Sequence, residues 1–202
     1  MEAVAQHRKN GLAERARSCL LVIDVQQYFL TKLALQEREP LVRRMAWLMQ
    51  VARLLEIPVI ATAEDIARNG TLVPGLMTEL PAGAEVFDKM VFGLCAQPDI
   101  RAAVDSVAAK GRDQFVLIGL ETDVCISHSA FGLAEAGYRP FVIDDACASP
   151  APHHEHGLRR LRDAGIAVTS LKGIYYEWLR DLETLGRLRK QMNEPLPPGL
   201  TL

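Results

Sequence analysis

Three side chains that could act as acid, base and nucleophile each stand where an apolar run ends. Asp24 closes the run CLLVID, Lys89 closes AEVFDK, and Cys125 follows the run FVLIGL. A thiol near a helix N-terminus and an ammonium group is expected to have a lowered pKa, which favours the nucleophilic thiolate. A carboxylate beside them can hold the ammonium or move protons. Since amides at the start of a helix can also bind an oxyanion, the three residues indicate acyl transfer by a cysteine.

The elements that must position these residues alternate in type along the chain. Short runs rich in β-branched residues predict six strands, at 19–25, 57–62, 84–90, 115–120, 140–145 and 166–171. Helical spacing is found at 40–56, 99–111, 122–137, 153–165 and 173–192, and a long loop is expected at 67–83. This alternation predicts an α/β fold, a three-layer doubly wound sandwich around a six-stranded parallel sheet. Such sheets bind ligands beyond the carboxyl ends of their strands, where all three reactive residues are expected.

Length and composition favour a single domain over residues 1–202, with a core at about 18–180, a polar N-terminal arm at 1–17 and a proline-rich tail at 193–202. The formal charge of −2 gives no polybasic face, so a nucleic-acid partner is not expected. No apolar run approaches the roughly 20 residues that cross a bilayer, and the first residues contain no signal-peptide hydrophobic region. We therefore expect a cytoplasmic protein without a membrane partner.

The spacing of the four cysteines predicts neither a disulfide framework nor a zinc knuckle. Cys19, Cys95, Cys125 and Cys147 form no C-x-x-C pair, so each is expected to be a free thiol. Cys19 and Cys147 are expected to pack in the core, and Cys95 to border the pocket. No phosphate-binding glycine motif is present, and no cofactor is expected.

Four histidines are weaker candidates for chemistry. His128 lies one helical turn after Cys125 and could serve as a base, although its side chain is expected to point away from the crevice. His153, His154 and His156 follow the segment SPAP, and we interpret them as an exposed helix entrance rather than a metal site.

Several motifs together resemble the isochorismatase-like cysteine hydrolase family. They are D-V-Q-Q-Y-F at 24–29, F-D-K-M-V-F at 87–92 and G-L-E-T-D-V-C-I at 119–126. The likeness covers roughly 18–180 and extends to D-D-A-C-A-S at 144–149 and L-R-R-L-R-D-A-G-I at 158–166. It is strongest for the isochorismatase-domain subgroup, which is related to nicotinamidases and N-carbamoylsarcosine amidohydrolases.

The resemblance implies roles for individual residues. Asp24 would be the general base, Lys89 its electrostatic partner, and Cys125 the nucleophile that forms a thioester-like acyl intermediate. The backbone amides of Glu121 and Cys125 would form an oxyanion hole, and the peptide bond between Leu120 and Glu121 would be cis.

The resemblance also suggests pocket residues and narrows the reaction. Gln26, Phe29 and Glu64 are candidates for the substrate pocket. The pattern alone favours core packing for Phe29 and leaves Gln26 with the same ambiguity between pocket and core.

Nicotinamidases of the family bind a metal through histidines after the second strand, where this chain reads ATAEDIARNGTLVPG. Without an imidazole there, we expect no metal. Enzymes that cleave isochorismate itself lack the cysteine. The prediction is metal-independent hydrolysis of a small amide, carbamoyl or related acyl substrate.

Two alternatives from other functional classes use the same fold. A thiol-based redox or peroxide sensor would use Cys125 without hydrolysis, and a non-catalytic binding module would leave it an ordinary thiol. A homo-oligomer is expected in each case. The tail after 192 is expected to be disordered or to lie on a neighbouring subunit.

Overall fold

A six-stranded parallel sheet forms the centre of the protein, as the computed structural model shows for residues 11–192 and 195–202. Its strands are β1 Ser18–Ile23, β2 Val59–Glu64, β3 Val86–Lys89, β4 Gln114–Leu120, β5 Arg139–Ala148 and β6 Ala167–Thr169. They lie in the order β3-β2-β1-β4-β5-β6, and every neighbouring pair is parallel. The predicted α/β fold, a doubly wound sandwich, is confirmed.

The main helices are α1 Leu35–Leu54, α2 Pro98–Ala108, α3 Ser127–Glu135, α4 His153–Asp163, α5 Leu171–Leu179 and α6 Leu182–Gln191. Short α-helical turns occupy Gln27–Leu30, Ile66–Asn69 and Pro74–Met77, and 3-10 turns occupy Arg15–Arg17 and Leu94–Ala96. Residues Thr122–Ile126 form a π-helical turn that leads directly into α3. Of the helices in the described ranges, none combines the length and apolar character needed to cross a membrane.

The sheet buries both of its faces, which explains the continuous apolar runs of its strands. In β1, Leu20 and Val22 pack into the cluster that contains residues of α1 and α5, whereas Leu21 and Ile23 pack with residues of α2, α3 and α4. All six residues of β1 are buried. The central strand is therefore fixed from two sides, and so is whatever side chain follows its carboxyl end.

The register of the strands aligns the ends that carry reactive residues. Ile23 pairs with Thr62 on one side and Gly119 on the other, and Glu64 pairs with Lys89. Gly119 has φ +136°, and a Cβ there would lie 2.0 Å from the carbonyl oxygen of Ile23. Only glycine allows β4 to approach β1 this closely at the point where both strands end.

Several element boundaries differ from the sequence predictions. The C-terminal helical segment divides into α5 and α6, because Arg180 adopts φ 65° and the Asp181 carboxylate then accepts a hydrogen bond from the Thr184 amide and starts a new helix. Helix α1 begins at Leu35 and contains Pro40, whereas the predicted helix starts at that proline. The expected long loop at 67–83 contains helical turns.

Two terminal segments were predicted, a polar N-terminal arm and a C-terminal tail with little to bury of its own. Residues 1–10 of the predicted arm, and 193–194 of the predicted tail, lie outside the described residues. Residues 195–202 make contacts within their own chain. Leu200 is 8% exposed and packs into the core of its own chain, and the carbonyl of Pro198 accepts a hydrogen bond from Arg44.

Candidate active site

Asp24 is the residue immediately after β1, and its backbone turns its carboxylate into the sheet edge. It has φ 54°, a left-handed conformation that aspartate tolerates better than most residues. Its side chain is fully buried, and Oδ1 accepts a hydrogen bond of 2.9 Å from the Thr62 hydroxyl on β2. Burial raises the pKa of Asp24, against the opposing effect of the Lys89 charge. A carboxylate with a raised pKa is suited to exchange protons near neutral pH.

Lys89, at the end of β3, is also completely buried, and its ammonium joins the other reactive groups. Nζ lies 3.0 Å from Oδ2 of Asp24 and 3.8 Å from Sγ of Cys125. It also donates hydrogen bonds to the carbonyl oxygens of Val91 and Phe92. A buried ammonium needs such partners because its desolvation is costly. Asp24, Lys89 and Cys125, chosen from the sequence as strand-end residues, thus meet at one edge of the sheet.

Cys125 occupies the π-helical turn between β4 and α3 and is 3% exposed. Its thiol faces two carboxylates, those of Asp24 and Glu64, and Sγ lies 3.5 Å from Oε2 of Glu64. Burial raises the pKa of Cys125 well above its ordinary range, the Asp24 charge raises it further, and Lys89 lowers it. The expectation of a lowered pKa is therefore wrong for the resting site, because desolvation and two carboxylates outweigh one ammonium and the helix terminus.

Glu64 and Gln26 were both predicted to be pocket residues, and the structure separates their roles. The Glu64 carboxylate, whose side chain is 22% exposed, faces Cys125 and Lys89. The Gln26 amide is fully buried and holds backbone instead: Nε2 donates to the carbonyls of Glu64 and Gly70, and Oε1 accepts from the Glu64 amide. Gln26 fixes the end of β2, and its polar atoms are already bonded.

Phe29, the third predicted pocket residue, is 6% exposed and belongs to the main apolar core. The Lys32 ammonium lies 4.6 Å from the centroid of its ring and 3.0 Å from a carboxylate oxygen of Glu121. Core packing, which the pattern alone favoured, therefore describes Phe29. Lys32, which the sequence analysis did not select, ties the helical turn Gln27–Leu30 to the residue that opens the Cys125 turn.

The turn that carries the cysteine begins at the junction of β4 with Glu121. The peptide bond between Leu120 and Glu121 is cis, as is the bond between Ala151 and Pro152. The Glu121 carbonyl accepts hydrogen bonds from the amides of Val124 and Ile126, which closes the turn beneath the thiol. Glu121 precedes this turn and Cys125 lies within it.

Helix α4 and Ser149, the residue after β5, hold the same turn through contacts that the sequence analysis did not identify. Nδ1 of His154 lies 2.8 Å from the Thr122 hydroxyl, and the Ser149 hydroxyl donates to the Asp123 carboxylate at 2.6 Å. Burial lowers the pKa of His154. A Cβ on Gly157 would lie 2.8 Å from Cα of Asp123, so the backbones are in direct contact. These contacts join residues about 30 positions apart in sequence and have no local signature.

His128, His153 and Cys95 have partners outside the group formed by Asp24, Lys89 and Cys125. His128 is exposed, and its ring packs edge-on against Phe92 at 6.0 Å between centroids. His153 is exposed, with Nδ1 3.9 Å from the Asp123 carboxylate. Cys95 lines an outer groove together with His128 and Arg101, and Cys125 is not among the residues that line it. Cys19 and Cys147 are buried, as expected for packing residues, and burial raises the pKa of Cys19 to about 12.

One group of side chains at the site has metal-ligand chemistry. Ligand atoms of Asp24, Glu64 and Cys125 lie within 4.8 Å of one another. The Lys89 ammonium lies 3.0 Å from Asp24 and 3.8 Å from both Glu64 and Cys125, so a cation already sits among these atoms. A metal ion would have to displace this buried ammonium or bear its repulsion, so the donor set fits a metal poorly.

The family of the chain follows from a comparison with known proteins. The model of the isochorismatase domain matches residues 18–173, which contain all of the strands and the three strand-end residues. The chain belongs to the isochorismatase family. Within that family it is 29% identical over 193 residues to isochorismatase domain-containing protein 2 of Xenopus laevis, an alignment that covers 94% of this chain and 90% of the relative.

Solved structures share the fold of this family member. The structure of the MAR1 ribonuclease from Caenorhabditis elegans superimposes with a TM-score of 0.80 at 22% identity and covers 95% of this chain and 98% of that one. The YcaC protein of Escherichia coli, described as an octameric hydrolase of unknown specificity, gives a TM-score of 0.75 at 23% identity, with 88% of both chains covered. At these identities the likeness concerns the fold.

Proposed function

We propose that this protein is a cysteine hydrolase that cleaves a small amide, carbamoyl or related acyl substrate through a covalent acyl-thiol intermediate, without a metal or organic cofactor. The observation that carries the proposal is the position of the Lys89 ammonium, 3.0 Å from Asp24 and 3.8 Å from Cys125 at the carboxyl edge of the sheet. Membership of the isochorismatase family supports hydrolase activity. Cleavage of a C–N bond is the further part of the proposal.

Acylation begins with the Cys125 proton. Oδ2 of Asp24 lies 3.0 Å from the Lys89 ammonium, and the Asp24 carboxylate also interacts with the Cys125 thiol, so it can accept the thiol proton. As that proton moves, the sulfur attacks the carbonyl carbon, and the carbonyl electrons move to oxygen, which accepts hydrogen bonds from the amides of Glu121 and Cys125. The C–N bond then breaks, Asp24 returns the proton to nitrogen, and ammonia or an amine leaves a thioester on Cys125.

Hydrolysis of the thioester reverses these roles. Asp24 accepts a proton from water as the water oxygen attacks the acyl carbon, and the C–S bond breaks when the second tetrahedral intermediate collapses. Asp24 then returns the proton to the Cys125 sulfur, and the acid product departs. Throughout the cycle, Lys89 stabilises whichever of its two neighbours carries the negative charge.

The raised pKa of Cys125 favours a hydrolase over a redox sensor. A sensor needs a standing thiolate that reacts with peroxide, whereas burial and the carboxylates raise the pKa of this thiol. A hydrolase can form the thiolate when substrate binds, because the same step transfers the proton to Asp24. A binding module with an inert Cys125 predicts no turnover and is tested by the same experiment as the hydrolase.

Assembly and location are also proposals. We propose a homo-oligomer of single-domain chains, supported by the octameric YcaC neighbour and by exposed apolar side chains at Tyr28, Met90 and Phe92. A cytoplasmic location is supported by four cysteines that are all free. The partner of the site is a small molecule, and no role is proposed for nucleic acid or membrane.

The test is ammonia release from a panel of small amides and carbamoyl compounds. Wild-type protein is expected to hydrolyse at least one member, and Cys125→Ser and Asp24→Asn to reduce kcat at least 100-fold, on the order of the losses seen for nucleophiles and bases. Cys95→Ala is the matched control, since it removes a half-buried thiol of the outer groove, and it should retain activity. Full activity in Cys125→Ser would contradict the proposal.

A further inference from the structure

We propose that Glu64 makes the pocket select substrates whose acyl part carries a cationic or N–H-donating group, such as an ammonium, an amidinium or a terminal carbamoyl NH₂. This inference rests on the proposed function, because it names the substrate class of the same site.

Glu64 has contacts and exposure that set it apart from the catalytic pair. Oε2 lies 3.5 Å from Sγ of Cys125 and 3.8 Å from Nζ of Lys89. Its side chain is 22% exposed, whereas those of Asp24 and Lys89 are 0% exposed. A molecule that reaches the thiol from solvent therefore meets the Glu64 carboxylate. In the proposed acylation and deacylation, Asp24 transfers every proton, so Glu64 takes part in none of these steps.

The charges around the thiol leave one carboxylate uncompensated. Asp24 is paired with Lys89 at 3.0 Å and has the Thr62 hydroxyl as a further partner. Glu64 shares the same ammonium at the longer distance of 3.8 Å. With a protonated thiol, two carboxylates and one ammonium give the reactive centre a net charge of −1. Lys32 does not alter this balance, because it pairs with Glu121 at 3.0 Å.

The backbone of Glu64 is held firmly enough for its carboxylate to act as a specificity determinant. The Gln26 side chain bonds both the backbone amide of Glu64, at 2.7 Å, and the Glu64 carbonyl, at 2.8 Å. The Asn69 side chain donates to the same carbonyl at 3.1 Å. Oδ2 of Asp24 already faces the Lys89 ammonium at 3.0 Å, so Glu64 is the carboxylate left for a ligand. A carboxylate on a rigid frame favours ligands rich in N–H donors and repels carboxylate-bearing ones.

Charged thiol reagents can measure this preference without a known substrate. The probes are 2-aminoethyl and 2-sulfonatoethyl methanethiosulfonate, one cationic and one anionic. In both, the thiolate displaces methanesulfinate and forms a mixed disulfide. Labelling of Cys125 is followed by peptide mass spectrometry, and each rate is divided by that of the same reagent with 2-mercaptoethanol. The ratio of the two normalised rates cancels any change in the thiolate fraction.

The decisive comparison is between Glu64→Gln and Asp65→Asn. Both remove one carboxylate at neighbouring positions, but the Asp65 side chain accepts a hydrogen bond from the Arg68 amide and so caps a turn. Wild type should favour the cationic reagent, and Glu64→Gln should reduce the ratio at least tenfold, because two charge units of difference at about 6 Å give about tenfold even at the dielectric constant of water. Asp65→Asn should change the ratio less than twofold, and salt should weaken the wild-type preference.

The outcomes separate this inference from the proposed function. Equal ratios in wild type and Glu64→Gln, with Cys125 labelled in both, would overturn the role of Glu64 and leave the cysteine hydrolase standing. If neither reagent labels Cys125 because its pKa is raised at rest, the order of amide hydrolysis decides the inference, and no Cys125-dependent ammonia release from any amide would overturn both. As a second measurement, ammonia release should favour glycinamide over propionamide and propionamide over malonamate, and Glu64→Gln should flatten that order. An unchanged order in Glu64→Gln would also contradict the inference.

Discussion

Replacing Lys89 by methionine keeps the length of the side chain but removes the ammonium that faces the buried Asp24 carboxylate. Both side chains are 0% exposed, and their charges lie 3.0 Å apart. In the variant, Asp24 keeps the hydrogen bond from the Thr62 hydroxyl at 2.9 Å but loses its counter-charge. The carboxylate must then remain charged in an apolar surrounding or take up a proton, and both choices destabilise the folded state.

The free energy needed to protonate Asp24 sets the expected loss of stability in Lys89→Met. A carboxyl group with an unfolded-state pKa of about 3.9 costs about 4 kcal/mol to protonate at pH 7 and about 1.5 kcal/mol at pH 5. The folded-state pKa of Asp24 in the variant lies above the unfolded value, so the penalty is absent below the unfolded pKa and grows as pH rises toward the folded pKa. We expect Lys89→Met to lose about 5 kcal/mol at pH 7 and about 2.5 kcal/mol at pH 5, of which about 1 kcal/mol at either pH comes from the donors lost by two loop carbonyls.

Urea unfolding at the two pH values measures this difference. The double variant Asp24→Asn/Lys89→Met is the control, because it removes both charges and should lie within about 2 kcal/mol of wild type at either pH. A Lys89→Met protein within about 1 kcal/mol of wild type at pH 7, or one whose loss does not shrink at pH 5, would refute the reasoning that the pair is buried and mutually dependent.

Two further predictions concern the residues that position the site. Gln26→Ala should lower the free energy of unfolding in urea by about 2–4 kcal/mol, since it removes the side-chain amide that bonds the backbone N–H and C=O of Glu64 and a loop carbonyl. A loss under about 1 kcal/mol would contradict the view that Gln26 holds the backbone of Glu64 in place. Gly157→Ala should cost about 1–3 kcal/mol and reduce Cys125-dependent hydrolysis, because the added Cβ would lie 2.8 Å from Cα of Asp123. Gly186→Ala is its control, since a Cβ there meets nothing within 4 Å in helix α6, and it should raise the melting temperature slightly. If Gly157→Ala and Gly186→Ala changed stability and hydrolysis equally, the result would argue against close packing between Gly157 and Asp123.

The sheet and its three reactive residues could be predicted because their signals are local. Each strand of a doubly wound sheet is buried on both faces and reads as an apolar run, and the residue that ends the run lies at the ligand-binding edge. Asp24, Lys89 and Cys125 needed no further information to be placed together. Gly119 stands in the motif G-L-E-T-D-V-C-I, but the reason for a glycine there, contact with the Ile23 carbonyl of the neighbouring strand, appears only in the structure.

Features that depend on distant contacts could not be predicted in this way. The direction of the Cys125 pKa shift depends on burial and on the carboxylates of Asp24 and Glu64, which reach the thiol from two other segments. The helix N-terminus and the Lys89 ammonium alone favour a lowered pKa, which is the wrong direction once burial and the two carboxylates are included. The contact of His154 with Thr122 and the burial of Leu200 likewise join segments far apart in sequence, and hydrophobic periodicity carries no information about them.

Mass spectrometry of the acylated enzyme tests the central claim most directly. Wild-type protein mixed with a cleaved amide and quenched in acid within the first turnovers should carry the mass of the acyl group on the peptide that contains Cys125. Under the same conditions, Cys125→Ser should carry no acyl group and release no ammonia. Steady hydrolysis without any adduct on that peptide, and undiminished in Cys125→Ser, would contradict a mechanism that proceeds through the thiol.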